Sequence, residues 1–368
     1  MSGGILLKAV GDLLGVSADG GDPFDHVRSR LRPCDILFGN MEAVITSNDR
    51  PVLEKAVALR CPPGHEAGLA QAGFTVLNLA NNHLLDFGSE AALETRQRLL
   101  DAGIRTIGAG RSEDEAWQEA GFEIRGQKIA FLGATEGMEA SMGGGCVLAR
   151  FDPERIVRRI RELKARFDRV VLSLHWGVEN VLLPSPEQQR WARAFVAAGA
   201  CAILGHHPHR VQGIERYRDG VICYSLGNFN FQPCGIGLSP HERTSMILEV
   251  EFQAGRAPDH RAMPVALDPS YCPRIVEAEE DRAALLRHFS EIAKPLTTDL
   301  DEERWRVSIA RPYLLGNLRA FGVRIRRYGW RHAWACARWL AGGYNRRIYA
   351  AVIRRCWAGR RRNRRPGS

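Results

Sequence analysis

The side chains that could do chemistry in this sequence stand where short apolar runs end. The run at 201–204 is followed by Gly205, His206, His207 and, after a proline, His209. Four other runs end in a carboxylate, amide or imidazole in the same way: Asp12, Glu42, the segment Asn81-Asn82-His83, and His175. Each of these alone is typical of a turn or a core histidine. Five in succession predict one shared site.

The mixture of side chains indicates which ligand such a site would hold. Carboxylate, carboxamide and imidazole together suit a divalent cation such as Mn²⁺, Fe²⁺ or Zn²⁺, and no cysteine belongs to the set, which disfavours a thiolate site. The set is large enough for two ions that share one carboxylate. Two ions roughly 3.5–4 Å apart activate a bridging water for attack on phosphorus or a similar centre. We therefore expect a divalent metal cofactor with two ions.

The elements that must position these side chains follow from the apolar runs. Strands are predicted at 5–10, 35–38, 75–80, 170–174, 201–204 and 221–226, and helices at 89–103, 152–167 and 185–199. Ser89 is the expected N-cap of the first helix and Gly103 its stop. Alternating strands and helices predict an α/β fold whose strand ends share one rim. The runs 244–252 and 261–267 have no helix between them and predict a second, more antiparallel sheet.

Composition and charge divide the chain into two parts. The 45% hydrophobic content allows a full core. Residues 311–368 contain 16 arginines and no lysine or acidic residue, whereas residues 1–310 carry a net charge of −7. This contrast predicts a body at 1–270, a helical connector at 271–310 and a basic helical tail at 311–368. The nine scattered cysteines form no CxxC pair, and no signal peptide or spanning segment is found, so we expect a cytoplasmic protein.

The tail interleaves arginine with aromatic side chains, namely Trp330, Trp334, Trp339, Tyr344, Tyr349 and Trp357. Trp330, Trp334 and Leu340 fall near one face of a helix, which favours an anionic membrane surface as the partner, peripheral at the inner membrane. An acidic polymer is the second expectation and nucleic acid the third. The alternative is a solvated basic helix packed on the acidic body.

Seven blocks of this sequence, in order, resemble the capsule-synthesis CapA family within the calcineurin-like metallophosphatase superfamily. They are GDLL (11–14), GNMEAVI (39–45), LNLANNHLLDFG (77–88), LLDAGIRTIGAG (99–110), LSLHWGVEN (172–180), AGACAILGHHPHRVQGIE (198–215) and YSLGNFNF (224–231). The resemblance implies a four-layer α-β-β-α sandwich with a dinuclear metal centre at the strand ends.

The resemblance also implies roles for individual residues. Asp12, Glu42 and His209 would hold one metal, and Glu42 would bridge to a second held by Asn82, His175 and His207. His83 would be the catalytic general acid. The groups implied to surround these are Asp86, Glu179, Glu215 and Asn228. Leu14 occupies a position where the wider superfamily has a histidine, so a one-metal site is the alternative.

Two functions follow from the sequence. The first is a metal-dependent hydrolase, acting on a phosphoester or on an anionic polymer in capsular or poly-γ-glutamate synthesis. The second is a non-catalytic, membrane-associated assembly factor for such synthesis. His83 separates them, because an enzyme needs it as a proton donor and a scaffold does not.

Overall fold

The computed structural model describes residues 4–52, 57–136, 145–232 and 238–330, together with 333, 334, 337, 348 and 350. The strands are β1 (Ile5–Leu13), β2 (Ile36–Met41), β3 (Val44–Ile45), β4 (Arg60–Cys61), β5 (Val76–Asn78), β6 (Arg105–Ile107), β7 (Ala109–Gly110), β8 (Ala120–Ile124), β9 (Gln127–Thr135), β10 (Val147–Leu148), β11 (Arg169–His175), β12 (Ala202–His206), β13 (Ile214–Tyr217), β14 (Gly220–Cys223), β15 (Asn228–Asn230), β16 (Thr244–Phe252), β17 (Asp259–Leu267) and β18 (Pro273–Ile275). The helices are α1 (Arg28–Leu31), α2 (His65–Ala72), α3 (Gly88–Asp101), α4 (Glu113–Ala116), α5 (Pro153–Lys164), α6 (Pro186–Ala198), α7 (Glu279–Ala293) and α8 (Glu302–Tyr328), with a 3₁₀ turn at Lys294–Thr297.

The first sheet has the strand order β18-β17-β16-β1-β2-β5-β6, and β15 also pairs with β1. β1, β2, β5 and β6 run parallel, so the ends that carry Asp12 and Asn40 lie side by side. The predicted separate antiparallel sheet is wrong. β16 pairs antiparallel with β1 from Ile5 opposite Phe252 onward, and β17 and β18 extend the same sheet. The free edge of β1 needs partners for its backbone groups, and β16 supplies them.

The second sheet has the order β13-β14-β12-β11-β9-β8. Its centre is parallel, with β9, β11, β12 and β14 in sequence. His175 on β11 is registered beside His206 on β12. Neighbours in a parallel register point to the same face, so both imidazoles belong to the same side of this sheet.

Three apolar cores separate four layers. Leu37 and Leu77 of the first sheet pack against Leu31, Leu69 and Leu99 of α1, α2 and α3. Between the sheets, the rings of Phe38 and Phe131 stack at 5.9 Å. On the far side of the second sheet, Leu172 and Ile203 pack against Ile160 of α5 and Phe195 of α6. The predicted α/β fold with a four-layer α-β-β-α sandwich is therefore confirmed.

The helix ends show how local sequence sets these layers. Ser185 caps α6 with a reciprocal capping box to Gln188, and Asp152 caps α5 by accepting from Arg155 N–H at 3.0 Å. The expected N-cap at Ser89 is wrong. The preceding glycine, Gly88, already lies in α3, and the cap residue Phe87 makes no side-chain bond. Gly88 has a φ of +91°, a conformation that glycine adopts without steric cost.

The C-terminal elements continue from the sandwich without a break at the predicted boundaries. β18 belongs to the first sheet although it lies beyond residue 270. α8 runs across residues 310 and 311 as one helix. Near its start, Trp305 Nε1 donates to the Leu183 carbonyl at 3.1 Å and packs with Val181 and Ile309. The first turns of α8 are thus seated on the loop that follows β11.

Candidate metal centre

Six side chains predicted from the sequence meet at the rim between the two sheets, namely Asp12, Glu42, Asn82, His175, His207 and His209. His175 Nε2 lies 2.8 Å from Asn82 Oδ1 and 3.6 Å from Glu42 Oε1. His209 Nδ1 lies 3.4 Å from Asp12 Oδ2, and its Nε2 lies 4.0 Å from Glu42 Oε1. Ligand atoms of Glu42, His207 and His209 all fall within 4.8 Å of one another. The ends of β1, β2, β11 and β12 therefore deliver these groups to one point.

The turn after β12 has a backbone that its residues rarely adopt. φ is +94° at His207 and +55° at His209, and each such non-glycine residue costs on the order of 1–3 kcal/mol. The loop after β11 holds this turn, because Asn180 N–H donates to the Pro208 carbonyl at 2.9 Å. The strained turn directs two imidazoles to the point where Glu42 lies.

The buried carboxylates of Asp12 and Glu42 fit a divalent cation. Both side chains are inaccessible to solvent. Oδ2 of Asp12, both side-chain oxygens of Glu42 and Nδ1 of His207 have no hydrogen bond. An unpaired buried polar group costs about 1–3 kcal/mol, and a bound cation would satisfy these atoms. Oxygen and imidazole nitrogen are also the donors that Mn²⁺, Fe²⁺ and Zn²⁺ accept. The geometry therefore supports the binding of a divalent metal ion at this rim.

The two carboxylates are shifted in opposite directions. Burial disfavours the ionised form of Asp12, but the neighbouring imidazoles of His206 and His209 outweigh burial and hold the pKa of this carboxyl well below its usual range. Burial, followed by the charge of Asp12, raises the pKa of Glu42 well above its usual range. Two buried carboxylates this close repel each other when both are ionised, and a bound cation would remove that repulsion.

The imidazoles also differ. Burial lowers the pKa of His207 to about 4, and burial together with the neighbouring His207 lowers the pKa of His175 well below its usual range. Burial acts the same way on His209, but the charges of Glu42 and Asp12 outweigh it and raise the pKa of His209 to about 10. His175 and His207 are therefore neutral at pH 7, the form in which an imidazole binds a metal.

Sequence reasoning missed a chain of amides beneath Asp12. Asn40 Nδ2 donates to Asp12 Oδ1 at 2.9 Å, and Asn78 Nδ2 donates to Asn40 Oδ1 at 2.8 Å. Both asparagines are fully buried and stand in register with Asp12 across β1, β2 and β5. The available signal was an asparagine inside each of two otherwise apolar strands, where only a hydrogen-bonded role explains a polar side chain.

His83 is held by the neighbouring carboxylate. Its Nδ1 donates to Asp86 Oδ2 at 2.7 Å, and its backbone N–H donates to Asn81 Oδ1 at 3.0 Å. Asp86 is fully buried and also accepts from Leu59 N–H at 2.9 Å. Asp86 therefore fixes the ring of His83, one of the side chains that the resemblance implied it would surround.

The other three residues that the resemblance implied around the ligands, Asn228, Glu179 and Glu215, differ in where the structure places them. Asn228 Oδ1 accepts from His209 Nδ1 at 2.9 Å, so Asn228 does touch a predicted ligand. Glu179 is exposed, and its charge contributes to the raised pKa values of Glu42 and His209. Glu215 requires a correction, because the structure does not bring it to the rim. Its carboxylate accepts from Arg193 Nε and from Tyr224 Oη, each at 2.7 Å.

The described part of the basic tail is exposed. Trp330 and Trp334 are 80% and 82% exposed, and Leu315 and Leu318 about half exposed. The other tail residues singled out from the sequence, Trp339, Leu340, Tyr344, Tyr349 and Trp357, lie outside the described residues. Within the part of the chain that the structure describes, no helix has the length and apolar character needed to cross a bilayer.

The sequence is similar to proteins of bacterial capsule synthesis. A family model described as bacterial capsule synthesis protein PGA_cap matches residues 3–233. The chain is 34% identical over 222 residues to the capsule biosynthesis protein CapA of Bacillus anthracis, covering 56% of this chain and 53% of that protein. It is 36% identical over 214 residues to the PGA biosynthesis protein CapA of Bacillus subtilis (strain 168), covering 56% of each. A probable polyglutamine synthesis accessory protein of Mycobacterium tuberculosis is 28% identical over 217 residues, covering 55% of this chain and 57% of that protein. The chain thus spans about half the length of the curated relatives it matches.

Proposed function

The chain belongs to the bacterial capsule synthesis protein family PGA_cap, and from that membership we propose that it is a metal-dependent, phosphoesterase-like hydrolase. Its substrate would be an anionic polymer, or a phosphoester precursor of one, in capsular or poly-γ-glutamate synthesis. One observation carries the proposal. Buried oxygens of Asp12 and Glu42 lack hydrogen bonds and face the imidazoles of His175 and His209.

The proposed ligands form two sets that share one carboxylate. Asp12, Glu42 and His209 would hold one ion, and Glu42, Asn82, His175 and His207 a second. A divalent ion bound there would supply Lewis-acid polarisation and a water of lowered pKa. The protein's own contribution is to keep His175 and His207 neutral. The fixed backbone turn after β12 aims His207 and His209.

His83 would donate the proton that the leaving group needs. Asp86 accepts from Nδ1 of His83, so Nε2 is the nitrogen that would meet a substrate. An imidazole that a carboxylate holds in one orientation is suited to general acid catalysis. The ring is 8% exposed, which restricts its access to bulk water.

Metal content and hydrolysis, measured on the same protein preparations, test this proposal. We expect wild-type protein reconstituted with Mn²⁺ to retain the ion after desalting and to cleave bis(4-nitrophenyl) phosphate. His207→Ala should lose both properties, whereas the exposed control His26→Ala should lose neither. Two ions per chain would support the shared carboxylate, and one ion would support a mononuclear site. Wild-type protein that retains no ion would overturn the proposal.

The second candidate is a non-catalytic assembly factor, for which the exposed Trp330 and Trp334 would be attachment groups. His83→Ala separates the two functions, because the metal should stay bound while turnover falls about 10²–10⁴-fold if His83 is the acid. Metal-loaded wild-type protein without hydrolytic activity on phosphoesters or poly-γ-glutamate would favour the assembly factor.

We also propose that the C-terminal region holds the protein at the inner surface of an anionic membrane. α8 carries the exposed arginines Arg319, Arg326 and Arg327 beside the half-exposed Leu318. Arginine with exposed tryptophan suits the interfacial plane of a bilayer. Replacing Trp330 and Trp334 by alanine should weaken flotation with phosphatidylglycerol vesicles, whereas Leu286→Ala on α7 should not. Binding that survives the double change would contradict the membrane assignment.

A further inference from the structure

His206 is a buried imidazole for which neither the sequence motif nor the proposed ligand set provides a role. Its side chain is inaccessible to solvent, and neither ring nitrogen has a well-aligned hydrogen-bond partner. The ring lies 5.8 Å from that of Phe38 in the inter-sheet core. Burying an imidazole among apolar groups costs free energy unless a polar partner compensates for it. The group that His206 faces is Asp12, whose Oδ1 lies 3.2 Å from His206 Nδ1.

The two oxygens of Asp12 have different surroundings. Oδ1 accepts from Asn40 Nδ2 at 2.9 Å and lies beside His206. Oδ2 has no hydrogen bond and lies 3.4 Å from His209 Nδ1, on the side where the proposed ligands gather. A carboxylate held by one oxygen in this way presents the other oxygen in a fixed direction.

We propose that His206 is a positioning residue of the metal centre, which pairs with Oδ1 of Asp12 and so keeps Oδ2 directed at the cation. This inference rests on the proposed metal site and assigns His206 no contact with the ion itself. Groups that orient metal ligands change metal affinity by about 10–100-fold when they are removed. Asn40 on β2 and His206 on β12 both lie against Oδ1 of Asp12. The two sheets therefore jointly set the direction of the Asp12 carboxylate.

The test compares two replacements of His206 in the full chain. In His206→Asn, the amide Nδ2 takes the place of the ring Nδ1, so a nitrogen close to Asp12 Oδ1 is retained. In His206→Leu, that nitrogen is lost while an apolar side chain still fills the space. Ser173→Ala removes a neighbouring buried polar atom on β11 and serves as the control. Manganese affinity is measured for each by isothermal titration calorimetry, and the melting temperature in chelator is measured alongside.

We expect His206→Leu to bind manganese about 10–100-fold more weakly than wild-type protein. His206→Asn should recover most of that affinity, and Ser173→Ala should match the wild type. A structural role alone would lower the melting temperature of both His206 variants and leave no difference in affinity between them. Equal affinity of wild type and His206→Leu would overturn the inference, whereas a wild type that binds no manganese would overturn the proposed function itself. If His206→Asn bound as weakly as His206→Leu, pairing through Nδ1 would be refuted.

Discussion

Replacing Arg193 by leucine should destabilise the sandwich strongly without disturbing the proposed metal centre. Arg193 on α6 donates from Nε to Glu215 at 2.7 Å, from a terminal nitrogen to Asp299 at 2.5 Å, and from the other to the Leu296 carbonyl at 2.8 Å. Glu215 in turn accepts from Tyr224 Oη at 2.7 Å. Arg193 therefore fastens the outer helix to the edge hairpin and to the segment that leads into α8.

The magnitude follows from burial. The side chains of Arg193 and Glu215 are 17% and 6% exposed, so solvent screens the pair only weakly. Removing one partner of a buried ion pair costs about 3–5 kcal/mol, because the remaining charge has no compensation. In the double variant Arg193→Leu with Glu215→Leu that charge is gone, and the unpaired Tyr224 hydroxyl costs about 1–3 kcal/mol. The double variant should therefore be more stable than Arg193→Leu alone.

Urea unfolding followed by tryptophan fluorescence measures these differences, and elemental analysis of the folded proteins measures bound manganese. We expect metal content to be unchanged in Arg193→Leu and in Glu215→Gln, because Glu215 is turned toward Arg193 and Tyr224. A loss below about 1 kcal/mol in Arg193→Leu would show that the pair is not buried as described. Metal loss in Glu215→Gln would refute the placement of Glu215 and restore the place beside the metal ligands that the resemblance implied.

Three further predictions concern the rim. In metal-free protein, the pKa of His207 near 4 lies below its ordinary value of about 6.5, so between these pH values the unfolded chain binds a proton that the folded chain does not. The free energy of unfolding, measured in urea with chelator, should therefore fall as the pH is lowered from 6.5 to 4. His207→Gln should reduce this dependence on pH. Gly205→Ala would place a Cβ 1.9 Å from the Tyr224 carbonyl oxygen. It should lower the free energy of unfolding, measured by thermal unfolding, by about 3 kcal/mol or more. A variant as stable as the wild type would contradict this packing. Asp86→Asn should lower turnover about 10-fold or more, because it weakens the hydrogen bond that orients His83. The manganese content should stay at the wild-type level. Unchanged turnover would show that Asp86 has no part in catalysis.

Sequence patterns predicted several strands of the sandwich because burial dominates their composition, but they missed β9, which lies between β11 and β8 in the second sheet. The runs at 170–174 and 201–204 became β11 and β12, each one or two residues longer at the site end. The extra residues are His175 on β11 and Gly205 and His206 on β12, whose polar or small side chains look like a turn in the sequence. They remain in the strands because the ends of β11 and β12 pair with each other. The true turn begins at His207, where φ becomes positive.

The sheet assignment of 244–252 could not be predicted from local pattern. The run at 244–252 was identified correctly as the strand β16. Its partner could not be identified in the same way, because the choice depends on which strand edge is open, and that is a property of the whole fold. β1 carries β2 on one side and β16 on the other, and the two come from opposite ends of the sandwich sequence. Glu215 was misplaced for a related reason. It lies six residues after His209, but β13 turns back along β14 and directs its side chain to α6.

The basic tail and the metal centre, which composition separates, share a structural element. The loop after β11 donates from Asn180 N–H to the Pro208 carbonyl, between the proposed ligands His207 and His209, and its Leu183 carbonyl accepts from Trp305 of α8. The loop residues that contact the histidine turn and α8, Asn180 and Leu183, are three positions apart in the chain. For this reason a truncation that tests membrane binding must leave the first half of α8 in place. Shortening the chain before Trp305 would remove a support of the loop, and a loss of metal in that variant would say nothing about the tail.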